Sequence, residues 1–166
     1  MDCTSTLIPY HKTAAFSRIV LDYIDRAPGL ADFAGFPPTE TGIEKAILGR
    51  RNFPTNRQLL VDELKKQYAV LNTTARVEQN IEALLSTDTF TVTTAHQNNI
   101  FTGPLYFVYK ILHVIKVASD LNSSFSDYKF VPVYYIGSED ADLEELNHIY
   151  LDGNKVSWDT RQTGAV

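Results

Sequence analysis

Two short stretches carry the residues whose types and spacing suit proton transfer and anion binding. The first, Thr94–Lys110, places His96, Gln97, Asn98 and Asn99 ahead of Thr102-Gly103-Pro104. An imidazole can exchange a proton near neutral pH, and neighbouring amides can orient it. A helix start with a glycine beside it offers backbone N–H groups to a phosphate or carboxylate. The same residues also suit an ordinary loop in which His and Asn satisfy nearby backbone, and the residues alone leave both readings open. The second stretch, Val131–His148, places Glu139, Asp140 and Asp142 just after Ile136-Gly137. Carboxylates at a strand end can bind an amine or a ribose, hold Mg²⁺ or act as a general base. They equally suit the acidic first turn of a helix, the reading we give Glu144 and Glu145. No second carboxylate cluster accompanies them, so no metal site is expected. Lys110, one turn into the following helix, is within reach of a ligand at the first stretch. His11, His113 and Lys116 read as surface residues.

The elements around these stretches must bring both polar clusters to one end of a sheet. Thr89–Thr94 is β-branched and aromatic, as a strand requires. Pro104 suits the first helical position, with Thr102 or Gly103 as cap. The helix is predicted to run to about Ser119, with Leu105, Val108, Ile111, Leu112 and Ile115 as its buried face. Asn122–Asp127 reads as a polar loop and Tyr128–Gly137 as a second strand. Strand, helix and strand in one sense make a parallel βαβ unit, and open α/β sheets bind ligands beyond the carboxyl ends of their strands. Neither G-x-G-x-x-G nor G-x-x-x-x-G-K occurs, so the unit is neither a dinucleotide fingerprint nor a P-loop.

Upstream, the pattern is helical. Apolar stripes predict helices over Thr13–Arg26, Thr41–Leu48 (closed by Gly49), Asn56–Leu71 and from Thr73 or Thr74 to Leu85. Downstream, Asp142–His148 reads as a short helical turn. Ile149–Leu151 and Lys155–Trp158 read as a hairpin around Asp152-Gly153-Asn154. The fold class is therefore α/β, a Rossmann-like, partly parallel sheet with a helical N-terminal layer. Residues 1–87 form a helical segment packing on the core, and 88–166 form the first part of a Rossmann-like domain. One βαβ unit is fewer than such a sheet needs, and Thr163-Gly164-Ala165-Val166 adds no finishing element. We therefore expect a fragment of a longer chain.

Composition narrows the function classes. The 166 residues carry a net charge of −5, without the basic stripe of a broad nucleic-acid surface. Cys3 is the sole cysteine, so no internal disulfide or CxxC pair is possible. No apolar run reaches the roughly 18 residues of a membrane span, and no signal-peptide core opens the chain. We expect a cytoplasmic protein that does not bind membranes or nucleic acid.

Together the two stretches resemble the bacillithiol biosynthesis cysteine-adding enzymes. The resemblance rests on His96-Gln97, Phe101-Thr102-Gly103-Pro104-Leu105-Tyr106, Tyr109-Lys110-Ile111, Val131-Pro132-Val133, Glu139-Asp140, Asp142, Glu145 and Asn147-His148. It implies a core similar to class I aminoacyl-tRNA synthetases, a longer chain with a C-terminal coiled coil, and a homodimer. It also implies that cysteine is joined to glucosaminyl malate, with small molecules as the partners. A carboxylate resists attack by an amine, so ATP is the expected activator, although no residue identifies a cofactor. On this reading His96, Glu139, Asp140 and Asp142 are the catalytic candidates. Gln97, Asn98, Thr102, Gly103 and Lys110 are the binding ones. Ala95 stands where the family usually has Gly, and Ala141 where it usually has His.

Overall fold

The computed structural model describes residues 4–101 and 103–163. Contacts group the chain into two units, Met1–Pro54 and Thr55–Val166. The boundary expected at 87/88 falls inside the second unit, so the two helices before it group with the strands rather than with the N-terminal segment.

The first unit holds α1 (Arg18–Ile24) and α2 (Glu40–Arg51). Thr39 caps α2 by accepting from the Gly42 N–H at 3.3 Å, and Arg50 and Arg51 complement the dipole at its other end. Gly49 does not close this helix, which continues to Arg51. Gly42 is buried, and a Cβ there would stand 1.9 Å from the Pro37 carbonyl oxygen. Only glycine permits that approach.

In the second unit, α3 (Arg57–Tyr68) starts where the Asn56 side chain accepts from the Leu59 N–H, and α4 (Ala75–Ala83) follows Thr74. Strand β1 (Thr89–His96), helix α5 (Leu105–Ser124) and strand β2 (Lys129–Ile136) then form the expected βαβ unit. The strands are parallel, in register from Thr89↔Lys129 to His96↔Ile136. Val61 of α3, Ile81 of α4 and Leu84 just past it bury against Val131 of β2, with Val133 beside them. Phe107 of α5 meets Tyr134 edge-on, and Phe125, just past α5, meets Phe130. Alternate β2 residues thus face α3/α4 and α5, which makes three layers. Helix α6 (Leu143–Leu146) and the hairpin β3 (His148–Leu151) and β4 (Asn154–Ser157) follow. Asp152 and Gly153 both have positive φ, as a tight two-residue hairpin turn requires.

Helix α5 departs from expectation in three ways. Pro104 is its N-cap, not its first helical residue, and makes no side-chain cap bond. The helix also continues through Asn122 to Ser124, where a loop was expected. Third, Leu105, Val108, Leu112 and Ile115, all expected inside, are exposed. Phe107, Ile111, Val114 and Ala118 turn inward instead. The helix is apolar on more than one side, so periodicity could not choose its face. The aromatic contact of Phe107 with Tyr134 chose it.

Asn122 explains the longer helix. Its amide donates to the Ala118 and Phe130 carbonyls at 2.7 and 2.8 Å, and its Oδ1 accepts from the Phe130 N–H at 2.9 Å. Lys129 and Gly137 direct their N–H groups to Asp88 and His96 across the sheet. By strand alternation Phe130 points the other way, and Asn122 satisfies both its backbone groups. Pro132, two residues on, has no N–H to leave unpaired. This part of the strand edge is therefore sealed. Arg57 plays a matching part on β1, donating to the carbonyls of Leu84 and Thr89 at 2.9 and 3.1 Å. Replacing Asn122 with Ala should cost about 2–3 kcal/mol in urea unfolding, since two backbone groups lose partners.

Candidate functional site

The candidate site opens where β1 ends. His96 belongs to the strand rather than to the loop after it and is 9% exposed. Its carbonyl accepts from the Gly137 N–H at 3.0 Å, which fixes the two strand ends side by side. Its ring is held on both nitrogens. Nε2 lies 2.8 Å from the Tyr106 hydroxyl, and Nδ1 lies 3.2 Å from the Gln97 carbonyl oxygen and 3.1 Å from the Asn99 amide nitrogen. Phe107 packs edge-on against the ring from the next position of α5.

The turn between strand and helix explains this arrangement. Phe101 and Gly103 both have positive φ, and the Gly103 N–H closes a turn on the Ile100 carbonyl at 2.9 Å. That N–H is therefore spent within the turn and is not offered to an anion, as the sequence suggested. A Cβ at Gly103 would meet the Asn99 side chain at 2.6 to 2.8 Å. Glycine here lets Asn99 fold back, where its amide donates to the Gln97 carbonyl at 3.0 Å.

A cleft of about 780 Å³ lies in front of this network. His96, Asn99, Gly103, Pro104 and Tyr106 line it together with Glu145, His148 and Tyr150. The His148 Nδ1 lies 2.9 Å from the Asn147 side-chain oxygen, and its ring meets Tyr150 edge-on. A volume of this size suits a small-molecule ligand.

The predicted residues divide accordingly. His96 and Gly103 line the cleft, and Gln97 contributes its backbone carbonyl to the histidine. Asn98 is exposed and does not line it, and Thr102 lies outside the described residues. The Lys110 ammonium donates to the Ala95 carbonyl at 3.2 Å and sits 5.6 Å from the Tyr106 ring centre, beside the cleft rather than in it. Glu139, Asp140 and Asp142 are exposed and are not among the cleft-lining residues. Glu139 instead accepts from the Tyr135 hydroxyl at 3.1 Å, which raises the Tyr135 pKa above the ordinary phenol range. Among the described residues, no group of three His, Cys, Asp or Glu side chains is placed to hold a metal. Tyr106, Glu145 and His148 are the site residues that spacing did not single out. All three stand in the strings that carry the family resemblance, which was the available signal for them.

A parallel βαβ unit with a cleft at its strand ends is the Rossmann-like class of α/β domain. More narrowly, residues 1–166 match the family described as bacillithiol biosynthesis BshC, N-terminal Rossmann-like domain, and the chain belongs to that family. It is 41% identical over 168 residues to a protein of Flavobacterium psychrophilum named "Putative cysteine ligase BshC". That match takes in 99% of this chain and 31% of the relative. Proteins of the same name from Cytophaga hutchinsonii and Bacillus cytotoxicus are 44% and 33% identical over 91% and 82% of this chain. These matches span 29% and 25% of the relatives, so the chain corresponds to less than a third of their length. Among the described residues, no helix is long and apolar enough to cross a membrane.

Gly103→Ala should destabilise the protein by at least about 1 kcal/mol in thermal unfolding, because a side chain at positive φ is strained. It should also displace Asn99 from His96, visible as a changed ¹⁵N resonance of His96 Nδ1.

Proposed function

We propose that this chain supplies part of the active site of a cysteine ligase, which joins the carboxyl group of cysteine to the amine of glucosaminyl malate. The observation that carries the reading is His96: nearly buried at a strand end, bonded at both ring nitrogens, and facing a cleft sized for small molecules. Its relatives' name supports the same reaction type. Amide formation needs an activated carboxyl, and ATP is the natural activator. Toward a phosphate the described residues offer the first-turn N–H groups of α5 and the Lys110 ammonium beside them. The exposed carboxylates Glu139, Asp140 and Asp142 stand at the neighbouring strand end, where they can attract an amine before it enters.

Incubating the full protein with cysteine, glucosaminyl malate and ATP should yield the thiol product by mass spectrometry. His96→Gln should lower kcat about 10²-fold, in the range for a lost proton-transfer group. No product from the wild-type protein, with or without nucleotide, would sink the assignment.

A second reading is a relative that binds the substrates without turning them over. Ala141 favours it, since it stands where the resemblance expects histidine and its methyl is fully buried. Binding of cysteine or glucosaminyl malate by calorimetry, without turnover in the wild type, would decide for it. A gain of turnover in Ala141→His would mark a decayed enzyme instead.

A further inference from the structure

We propose that the Tyr106 hydroxyl, not the His96 ring, is the group that meets the reacting amine, and that His96 acts through it. This rests on the ligase reading above. Neither nitrogen of His96 is open to a ligand. Nε2 is covered by the Tyr106 oxygen at 2.8 Å, and Nδ1 is enclosed by the Gln97 carbonyl and the Asn99 amide. The histidine is 9% exposed while Tyr106 is 51% exposed, and both line the cleft. A tyrosine oxygen has one proton and two lone pairs, so one bond to His96 leaves it able to make another.

The partners of Nδ1 separate a relay from a structural histidine. The Asn99 nitrogen lies 3.0 Å from the Gln97 carbonyl oxygen, and turning that amide over would set two oxygens against each other. An Asn99 N–H therefore faces Nδ1 and donates to it when Nδ1 is bare. The Gln97 carbonyl accepts from Nδ1 when it carries a proton. The Nε2–Oη contact works in either direction. Each neutral tautomer thus finds a partner at Nδ1, and the relay starts from the Nδ1-protonated one, which donates to the Gln97 carbonyl and leaves Nε2 to accept from the Tyr106 hydroxyl.

The step balances as follows. The amine nitrogen of the amino sugar attacks the acyl carbon of cysteine activated as a mixed anhydride with phosphate. The C–N bond forms, and the phosphate leaves with the electrons of the C–O bond. The surplus N–H proton passes to the Tyr106 oxygen while the hydroxyl's own proton passes to His96 Nε2. The Lys110 ammonium, 5.6 Å from the Tyr106 ring centre, favours the negative charge that builds on the phenol as its proton leaves. Glu145, His148 and Tyr150 are the other ionisable groups lining the cleft.

The test uses the full protein carrying Tyr106→Phe, His96→Gln and the pair together. Tyr106→Phe should lower kcat about 10²-fold. The amine KM should stay within about threefold, and the double variant should fall no further than the worse single one, as for residues acting as a unit. Long-range ¹⁵N histidine spectra should show a changed tautomer ratio for His96 in Tyr106→Phe. If Tyr106→Phe keeps kcat while His96→Gln loses it, the relay is overturned and the ligase reading stands. An unchanged tautomer ratio overturns the relay whether or not the protein turns over. If the wild type makes no product, the ligase reading and the catalytic role of Tyr106 fall together, even where the tautomer ratio follows Tyr106.

Discussion

The parallel pairing of β1 with β2 is the constraint on which the rest depends. Two parallel strands cannot be joined by a tight turn, so the chain must leave the end of β1 and cross over through α5. It re-enters at Lys129, whose N–H bonds to Asp88, and the ladder closes at Gly137, whose N–H bonds to His96. The departure point of the crossover and the end of the ladder therefore coincide at His96. The cleft forms there because the chain turns away from the sheet and leaves the strand ends uncovered.

A pair of parallel strands is weak alone, and side chains complete what the ladder lacks. Asn122 and Arg57 bond to backbone groups of Phe130 and Thr89, and Arg57 also ties in the end of α4. The apolar cluster of Val61, Ile81, Leu84 and Val131 covers one face, and Phe107, Ile111 and Ala118 approach from the other. The aromatic pair Phe107–Tyr134 links this packing to function. It sets the rotation of α5, and that rotation carries Tyr106, one residue earlier, to the His96 ring. A helix turned to bury Leu105 and Leu112 instead would move Tyr106 away.

Much of this was legible in the chain. The β-branched run from Thr89, the helix starts near Thr39, Asn56 and Thr74, and the Asp152-Gly153 turn each depend on a few neighbouring residues, and each sits close to where the chain pattern placed it. His96 was recognisable as a strand-end group because strand and helix periodicities meet beside it. The boundaries of α5 were less legible. Asn122 reads as a loop residue until its bonds to Phe130, across the turn, are seen. The acidic trio showed the same difficulty. Glu139, Asp140 and Asp142 follow a strand that ends beside His96, yet the chain after Gly137 does not carry them to the cleft wall. Glu145 and His148, further along, line it instead.

By itself the sequence determined the element types, the parallel βαβ order and the family, because periodicity, capping and motif strings are local properties. Only the tertiary structure decided which face of α5 is buried, which acid lines the cleft and which atom covers the His96 ring. Those outcomes depend on helix rotation and on loop paths set by contacts between residues distant in the chain, and no local pattern encodes them.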